Sequence, residues 1–194
     1  MQTEFEAKFL NINKNELRQK LQQVGARLLR PEFMQKRVVF KLPSGHELAG
    51  AWVRVRDEGD KITLSLKIVD GDTIQDQKEV CLVVNSFVDA QTLLTNIGCE
   101  KKAYQESKRE VWQLHNCEVC IDEWPYIEPY IEIEGPDEDS VKQTALSLGY
   151  EYSQAIFGSA DKIIAAKYSI SKDQINNHTP LITFDGPNPY ILNK

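Results

Sequence analysis

Hydrophobic and polar residues alternate along much of the chain, which is typical of strands that have one apolar face. Successive side chains of a strand point to opposite faces, so Val53 and Val55 lie on one face and Arg54 and Arg56 on the other. Turn sequences such as Glu58-Gly59-Asp60 between the strands favour antiparallel hairpins. The pattern predicts eight strands, at residues 2–10, 35–41, 51–57, 61–69, 75–84, 103–114, 117–123 and 128–134.

Apolar residues at helical spacing predict helices between the strands. Three of these helices begin with a capping side chain and end at a glycine, from Asn13 to Gly25, from Ser86 to Gly98 and from Asp137 to Gly149. A fourth helix is predicted at 153–168. We therefore expect an α+β fold for residues 1–168, a closed eight-stranded antiparallel β-barrel with the helices packed outside. Residues 169–194 contain three prolines and are expected to form an irregular C-terminal extension.

Composition narrows the function classes only a little. The chain has 194 residues, 41% of them hydrophobic and 27% charged, as in a globular domain with a core of its own. A net charge of −6 argues against general attraction to nucleic acid or an anionic membrane. We find no signal peptide and no apolar run of membrane length, so the predicted location is cytoplasmic. Cys117 and Cys120 form a lone C-x-x-C pair, which we interpret as reduced structural thiols.

Charged residues occupy the strand faces opposite the apolar residues. A solvated sheet face is the ordinary interpretation of such a pattern in any single strand. Here, however, basic and acidic residues separate by strand, and closing the barrel with its apolar faces outward would make the charges line a channel. Buried charges are costly unless a ligand or an opposite charge satisfies them. The residues in this pattern are Glu4, Glu6, Lys8, Arg54, Arg56, Lys67, Glu132 and Glu134.

The two signs of charge call for different ligands. Carboxylates suit hard cations such as Mg²⁺ or Mn²⁺, which prefer oxygen ligands. The guanidinium group of arginine binds phosphate oxygens in a bidentate manner. A polyphosphate that carries metal ions would satisfy both sets, so the charges predict a metal-triphosphate site inside the barrel.

The order of these charges resembles the CYTH, or triphosphate tunnel metalloenzyme, superfamily, which includes class IV adenylyl cyclases, thiamine triphosphatases and inorganic triphosphatases. Glu4-x-Glu6-x-Lys8 is similar to its E-x-E-x-K signature. The resemblance covers roughly residues 2–168. The later matching positions are Arg54 and Arg56, Leu64-Ser65-Leu66-Lys67, Arg109 ahead of Trp112, Asp122, and Glu132-Ile133-Glu134-Gly135.

The resemblance implies roles for these positions. It implies that five carboxylates bind Mg²⁺ or Mn²⁺, namely Glu4, Glu6, Asp122, Glu132 and Glu134. It implies that five basic residues contact the triphosphate, namely Lys8, Arg54, Arg56, Lys67 and Arg109. The expected catalytic group is Glu4, Glu6, Lys8, Lys67 and Arg109, and Glu79 matches a further acidic position.

The chain departs from the family pattern at two places. Ser107 stands where the family often has a lysine, and Val39-Phe40-Lys41 stands where many members have a tyrosine-phenylalanine-aspartate run. Arg37 is in phase on that strand, as another basic group of the channel or as a surface arginine. These departures concern the non-phosphate end of the substrate more than the phosphate chemistry.

The resemblance implies metal-dependent hydrolysis of a triphosphate, either inorganic triphosphate or an organic one such as thiamine triphosphate. The first alternative is a class IV adenylyl cyclase that converts ATP to cyclic AMP and pyrophosphate. The second is a non-catalytic protein that binds polyphosphate or a nucleotide. The predicted partners are a triphosphate-containing small molecule and a second copy in a homodimer, with no nucleic acid and no membrane.

Overall fold

The computed structural model describes residues 1–191, in which five α-helices and one 3₁₀ turn, at Tyr152–Gln154, accompany ten strands. The strands are β1 (Gln2–Thr3), β2 (Phe5–Phe9), β3 (Arg27–Lys41), β4 (Ala51–Asp57), β5 (Ile62–Val69), β6 (Gln77–Val84), β7 (Glu100–Leu114), β8 (Cys117–Glu123), β9 (Tyr130–Gly135) and β10 (Leu181–Ile182). The helices are α1 (Lys14–Gln23), α2 (Phe87–Asn96), α3 (Glu138–Ser147), α4 (Asp161–Tyr168) and α5 (Lys172–Asn177).

The strands form a barrel that the N-terminal segment closes. Neighbouring strands follow the order β1-β6-β5-β4-β3-β7-β8-β9-β2, and each pair in this path is antiparallel. β1 and β2 are consecutive parts of the N-terminal strand and separate at Glu4, whose N–H still donates to the Gln77 carbonyl at 2.9 Å. The closed antiparallel barrel is therefore confirmed, although the predicted first strand is two strands and β10 was not expected.

Apolar side chains on the outer face of the strands pack into two helix-covered cores, and a third apolar core borders the cavity through Tyr130, Ile164 and Ile182. α1 and α3 cover the core that contains Ala7, Val119 and Ile133. α2 covers Val38 and Val55 on β3 and β4. α4, α5 and β10 form the third core, beside the loop between β8 and β9. This arrangement leaves much of the inner face of the barrel to charged side chains.

The predicted fourth helix is shorter than expected. Ile156, near the start of the predicted range 153–168, exchanges two backbone hydrogen bonds with Lys8, at 2.9 and 3.0 Å. Those bonds fix residue 156 in extended backbone beside β2, so the helix begins only at Asp161. The same bridge attaches the segment before α4 to the strand that closes the barrel.

The segment after residue 168, which was expected to be irregular, contains two short regular elements. α5 lies there, and β10 pairs in parallel with β7 at Tyr104 and Gln105. The pairing arises because β8 accompanies β7 only from Lys108 onward, which leaves that edge of β7 free for another strand. No helix within residues 1–191 has the length and apolar character needed to cross a membrane.

The C-terminal segment should therefore contribute to the stability of the whole fold. Ile182 is 1% exposed in the third core, whereas its neighbour Leu181 is 51% exposed. Replacing Ile182 with Ala should lower the free energy of unfolding by about 2–5 kcal/mol, because the change leaves a cavity in a packed core. Urea denaturation measures this change, and Leu181→Ala is the matched control with little effect. Equal effects of the two substitutions would show that the segment does not pack as described.

Candidate active site

A cavity of about 670 Å³ occupies the inside of the barrel, and half of the residues that line it are charged. Nine of the ten site residues predicted from the sequence line it, all except Asp122. Glu79, the further acidic position, lines it as well. The nine residues are Glu4, Glu6, Lys8, Arg54, Arg56, Lys67, Arg109, Glu132 and Glu134.

Strand register places acidic and basic residues directly opposite one another. Among the candidate site residues, three cross-strand pairs combine opposite charges, namely Lys8 with Glu132, Lys67 with Glu79 and Arg109 with Asp122. Glu6, in contrast, lies opposite Glu134. Directly opposed side chains on one sheet face lie close enough to interact. The alternation of each strand therefore builds a network of ion pairs once the strands come into register.

Lys67 joins two carboxylates from different strands. Its Nζ lies 2.9 Å from Glu4 Oε2 and 3.3 Å from Glu79 Oε2, and Arg54 Nη2 lies 3.3 Å from Glu79 Oε1. Burial and the hydrogen bond to Glu79 raise the pKa of Glu4 to about 7, against the effect of Lys67. The pKa of Glu79 is lowered although burial opposes this, because Glu4, Lys67 and Arg54 stabilise its ionised form. The two carboxyl groups therefore ionise at very different pH values.

A second group of ion pairs centres on Glu132. Lys8 Nζ contacts Glu6 and lies 3.1 Å from Glu132 Oε2, and Arg109 Nη2 lies 2.8 Å from Glu132 Oε1. Burial acts to raise the pKa of Glu132, but Lys8 and Arg109 outweigh it and lower that pKa. Burial lowers the pKa of Lys8, against the effect of Glu132.

Asp122 lies behind Arg109 instead of facing the open cavity. It is 1% exposed, and Arg109 donates to both of its oxygens, from Nε at 2.7 Å and from Nη2 at 2.6 Å. Burial raises the pKa of Asp122, against the effect of Arg109. This geometry makes Asp122 a positioning residue for Arg109, while its role as a metal ligand stays a prediction.

The acidic residues fit a divalent cation by their chemistry. Gln77 Nε2 donates to Glu4 Oε2 at 2.7 Å and to Glu6 Oε2 at 2.9 Å, so these two carboxylates lie close together. Glu134 has no cation within ion-pair distance among residues 1–191, and burial and Glu132 raise its pKa. Carboxylate oxygens are among the donors that Mg²⁺ and Mn²⁺ prefer.

The ligand set is not assembled as the side chains stand. Within residues 1–191, no three His, Cys, Asp or Glu side chains are grouped so that they could hold one ion. Three of the carboxylates form ion pairs with lysine instead: Glu6 and Glu132 with Lys8, and Glu4 with Lys67. Binding a metal would therefore require these lysines to give up their carboxylate partners.

Alternation along the strands could have revealed some residues that the prediction omitted. Glu118 lies four residues before Asp122 on β8, and Gln77 lies two residues before Glu79 on β6, so both are in phase with predicted site residues. Both line the cavity, as does Trp124. Arg37, which the sequence left open between channel and surface, lines the cavity and is 6% exposed.

Comparison with known proteins agrees with the fold. The family model described as CYTH domain matches residues 2–164 of the chain. Among proteins with a curated description, none matches. The solved structures compared below are 13–20% identical to this chain in sequence, so they bear on the fold alone.

Three solved structures illustrate this likeness. A candidate adenylate cyclase from Vibrio parahaemolyticus has a TM-score of 0.70 at 13% identity, over 84% of this chain and 98% of that one. The PH1012 protein from Pyrococcus horikoshii OT3 has a TM-score of 0.65 at 20% identity, over 78% of this chain and 93% of that one. HpAC1 from Hippeastrum, a candidate adenylyl cyclase with a dominant triphosphatase activity, has a TM-score of 0.58 at 15% identity, over 88% of this chain and 97% of that one.

Arg56 offers a direct test of the basic side of the cavity. Replacing Arg56 with Ala should weaken binding of inorganic tripolyphosphate by about ten- to a hundred-fold, because charge-assisted hydrogen bonds are lost. Binding of Mn²⁺ should change much less. Isothermal titration calorimetry measures both ligands separately, and Arg27→Ala, at an exposed arginine, is the control. Unchanged tripolyphosphate affinity in Arg56→Ala would remove this residue from the site.

Proposed function

The chain belongs to the CYTH family, and on that premise we propose that it hydrolyses a triphosphate with the help of a divalent metal. The substrate is inorganic triphosphate or an organic triphosphate such as thiamine triphosphate. The observation that carries the proposal is the interleaving of carboxylates and basic residues around one cavity. Cytoplasmic location and a homodimer stay predictions of the sequence.

Substrate binding would proceed by exchange of ion-pair partners. Lys8, Lys67 and Arg109 each bridge two carboxylates before the ligand arrives. Phosphate oxygens would take the place of some of these carboxylates on the basic side chains. Because each cation changes from one anionic partner to another, the cavity can accept a highly charged ligand without leaving a buried charge unpaired.

Glu4, Glu6 and Glu134 are the residues that would hold the metal, with Glu132 beside them. A bound divalent cation would supply charge neutralisation of the phosphate oxygens as a Lewis acid. The shared Gln77 amide keeps Glu4 and Glu6 close together. Asp122 keeps the Arg109 guanidinium in a fixed plane through two hydrogen bonds.

Hydrolysis requires one bond to form and one to break. The oxygen of water would bond to the terminal phosphorus, and the bridging oxygen would leave with the electron pair of the broken bond. The proton that the water loses would pass to a phosphate oxygen or to solvent. The basic side chains would stabilise the negative charge that builds up on the leaving phosphate chain. Fixed cations around the cavity suit this purpose, because they need little reorganisation during the reaction.

Cyclisation of ATP is the second candidate. The ribose 3′-hydroxyl would attack the α-phosphorus and release pyrophosphate in the same cavity. The Vibrio neighbour is described as a candidate adenylate cyclase, whereas HpAC1 is described as having a dominant triphosphatase activity. A protein that only binds polyphosphate is the third candidate, but it would need fewer carboxylates than this cavity contains.

Glu134→Gln tests the proposal because Glu134 is not part of an ion pair, so its charge can be removed without leaving a buried lysine unpaired. Purified protein with Mg²⁺ or Mn²⁺ should release phosphate from tripolyphosphate or thiamine triphosphate. Glu134→Gln should lose metal-dependent turnover because a ligand oxygen loses its charge, and the unfolding temperature should be nearly unchanged. Glu151→Gln, at an exposed glutamate, is the matched control.

The products separate the three candidates. Phosphate release from a triphosphate supports hydrolysis, and cyclic AMP as the main product from ATP would establish the cyclase instead. Tight binding without turnover would establish the binding protein. Full metal-dependent activity in Glu134→Gln would refute its role as a metal ligand.

A further inference from the structure

Arg37 is a buried cation that the predicted site did not include. It lies on β3, directly opposite Arg56 of β4 on one side and Gln105 of β7 on the other. Its side chain lines the cavity and is 6% exposed. The residue therefore belongs to the wall of the cavity.

The partners of Arg37 are all neutral. Its Nη2 donates to Gln35 Oε1 at 2.7 Å and to Ser107 Oγ, and the guanidinium carbon lies 4.4 Å from the centre of the Trp124 ring. Its Nε is buried and has no hydrogen-bond partner in the described part of the chain.

The other basic residues of the predicted site differ from Arg37 in one respect. Each of them lies within ion-pair distance of a carboxylate, whereas no carboxylate of residues 1–191 lies that close to Arg37. The carboxylate-paired residues are Lys8 with Glu6, Arg54 with Glu79, Arg56 with Glu58, Lys67 with Glu4, and Arg109 with Asp122.

An unpaired guanidinium at this place is unfavourable for the folded protein. Burial lowers the pKa of Arg37 well below its usual value, and Arg54, Arg56 and Arg109 lower it further by repulsion. An apolar side chain of similar size would avoid both the desolvation of the charge and its repulsion by the other arginines. A residue that destabilises the empty protein but remains pointed into a cavity is typical of a binding site.

We propose that Arg37 binds one phosphoryl group of the substrate, as an anion subsite that Gln35, Ser107 and Trp124 orient. The two hydrogen bonds fix one side of the guanidinium, and the indole ring fixes its plane. Both hydrogen bonds use Nη2, so Nη1 remains to donate to a phosphate oxygen. The inference rests on the proposed function only in that it takes the anion to be a phosphate chain.

Arg37→Met separates a binding role from a structural one, since the two roles predict opposite changes. Without any anion, the variant should unfold at a higher temperature than the natural protein, because a buried unpaired charge is removed. Its affinity for inorganic tripolyphosphate, titrated without added metal so that no turnover occurs, should fall at least about ten-fold. Arg37→Lys keeps the charge but not the planar donors, so its affinity should be intermediate.

Arg27→Met is the matched control, because Arg27 is an exposed arginine of the same strand. It should change neither quantity. A lower unfolding temperature together with unchanged affinity in Arg37→Met would overturn the subsite and make Arg37 a structural residue. If the natural protein binds tripolyphosphate but hydrolyses no triphosphate, the proposed function fails while the subsite still holds. If the natural protein does not bind tripolyphosphate at all, the subsite is overturned as well.

Discussion

A charge inside a closed barrel is tolerated only where an opposite charge or a hydrogen-bonding group lies beside it, and this requirement governs the structure. The apolar faces of the strands are turned outward under the helices, so charged faces must meet inside. The register of the sheet provides such opposite charges, because it places Lys8 opposite Glu132 and Lys67 opposite Glu79. A shift of one residue in either pairing would turn these side chains to the other face.

The site is assembled by the same strand pairings that close the barrel. Thr3 pairs with β6, whereas Phe5 pairs with β9, so Glu4 lies where the N-terminal strand passes from one neighbour to the other. Its carboxylate contacts Lys67 on β5, and Lys8 further along reaches Glu132 on β9. The residues of the E-x-E-x-K segment therefore meet their partners only when the seam is closed. The bridge between Lys8 and Ile156 extends this dependence to the segment that leads into α4.

Alternation in the sequence predicted which face each charged residue occupies, but not which residue lies beside it. The positions of Arg54, Arg56 and Lys67 in the cavity followed from strand phase alone. The same rule could not show that Asp122 lies behind Arg109, because strand phase does not determine which of two neighbouring side chains on the inner face reaches the cavity. β3 carries polar residues in both phases, as Gln35, Lys36 and Arg37 illustrate, so phase alone could not assign Arg37 to the cavity.

The two short elements of the C-terminal segment were not predicted, for a different reason. α5 has six residues and β10 has two, which is too short for a hydrophobic period to be recognised. Their position is determined by tertiary contacts, namely the free edge of β7 and the apolar surface around Ile182. The barrel could be predicted because its strands are long and regular, whereas α5 and β10 could not.

Two residues of the cavity indicate what kind of ligand would complete the site. Most of the charged side chains satisfy one another, so they can exchange partners but do not require a ligand. Among the described residues that line the cavity, Arg37 is a buried cation without a carboxylate, and Glu134 is a partly buried carboxylate without a cation. A simple anion would satisfy only the first, and a metal ion alone would satisfy only the second. A phosphate chain that carries a divalent cation brings both signs of charge together, which is why the arrangement favours a metal–polyphosphate complex over either component alone.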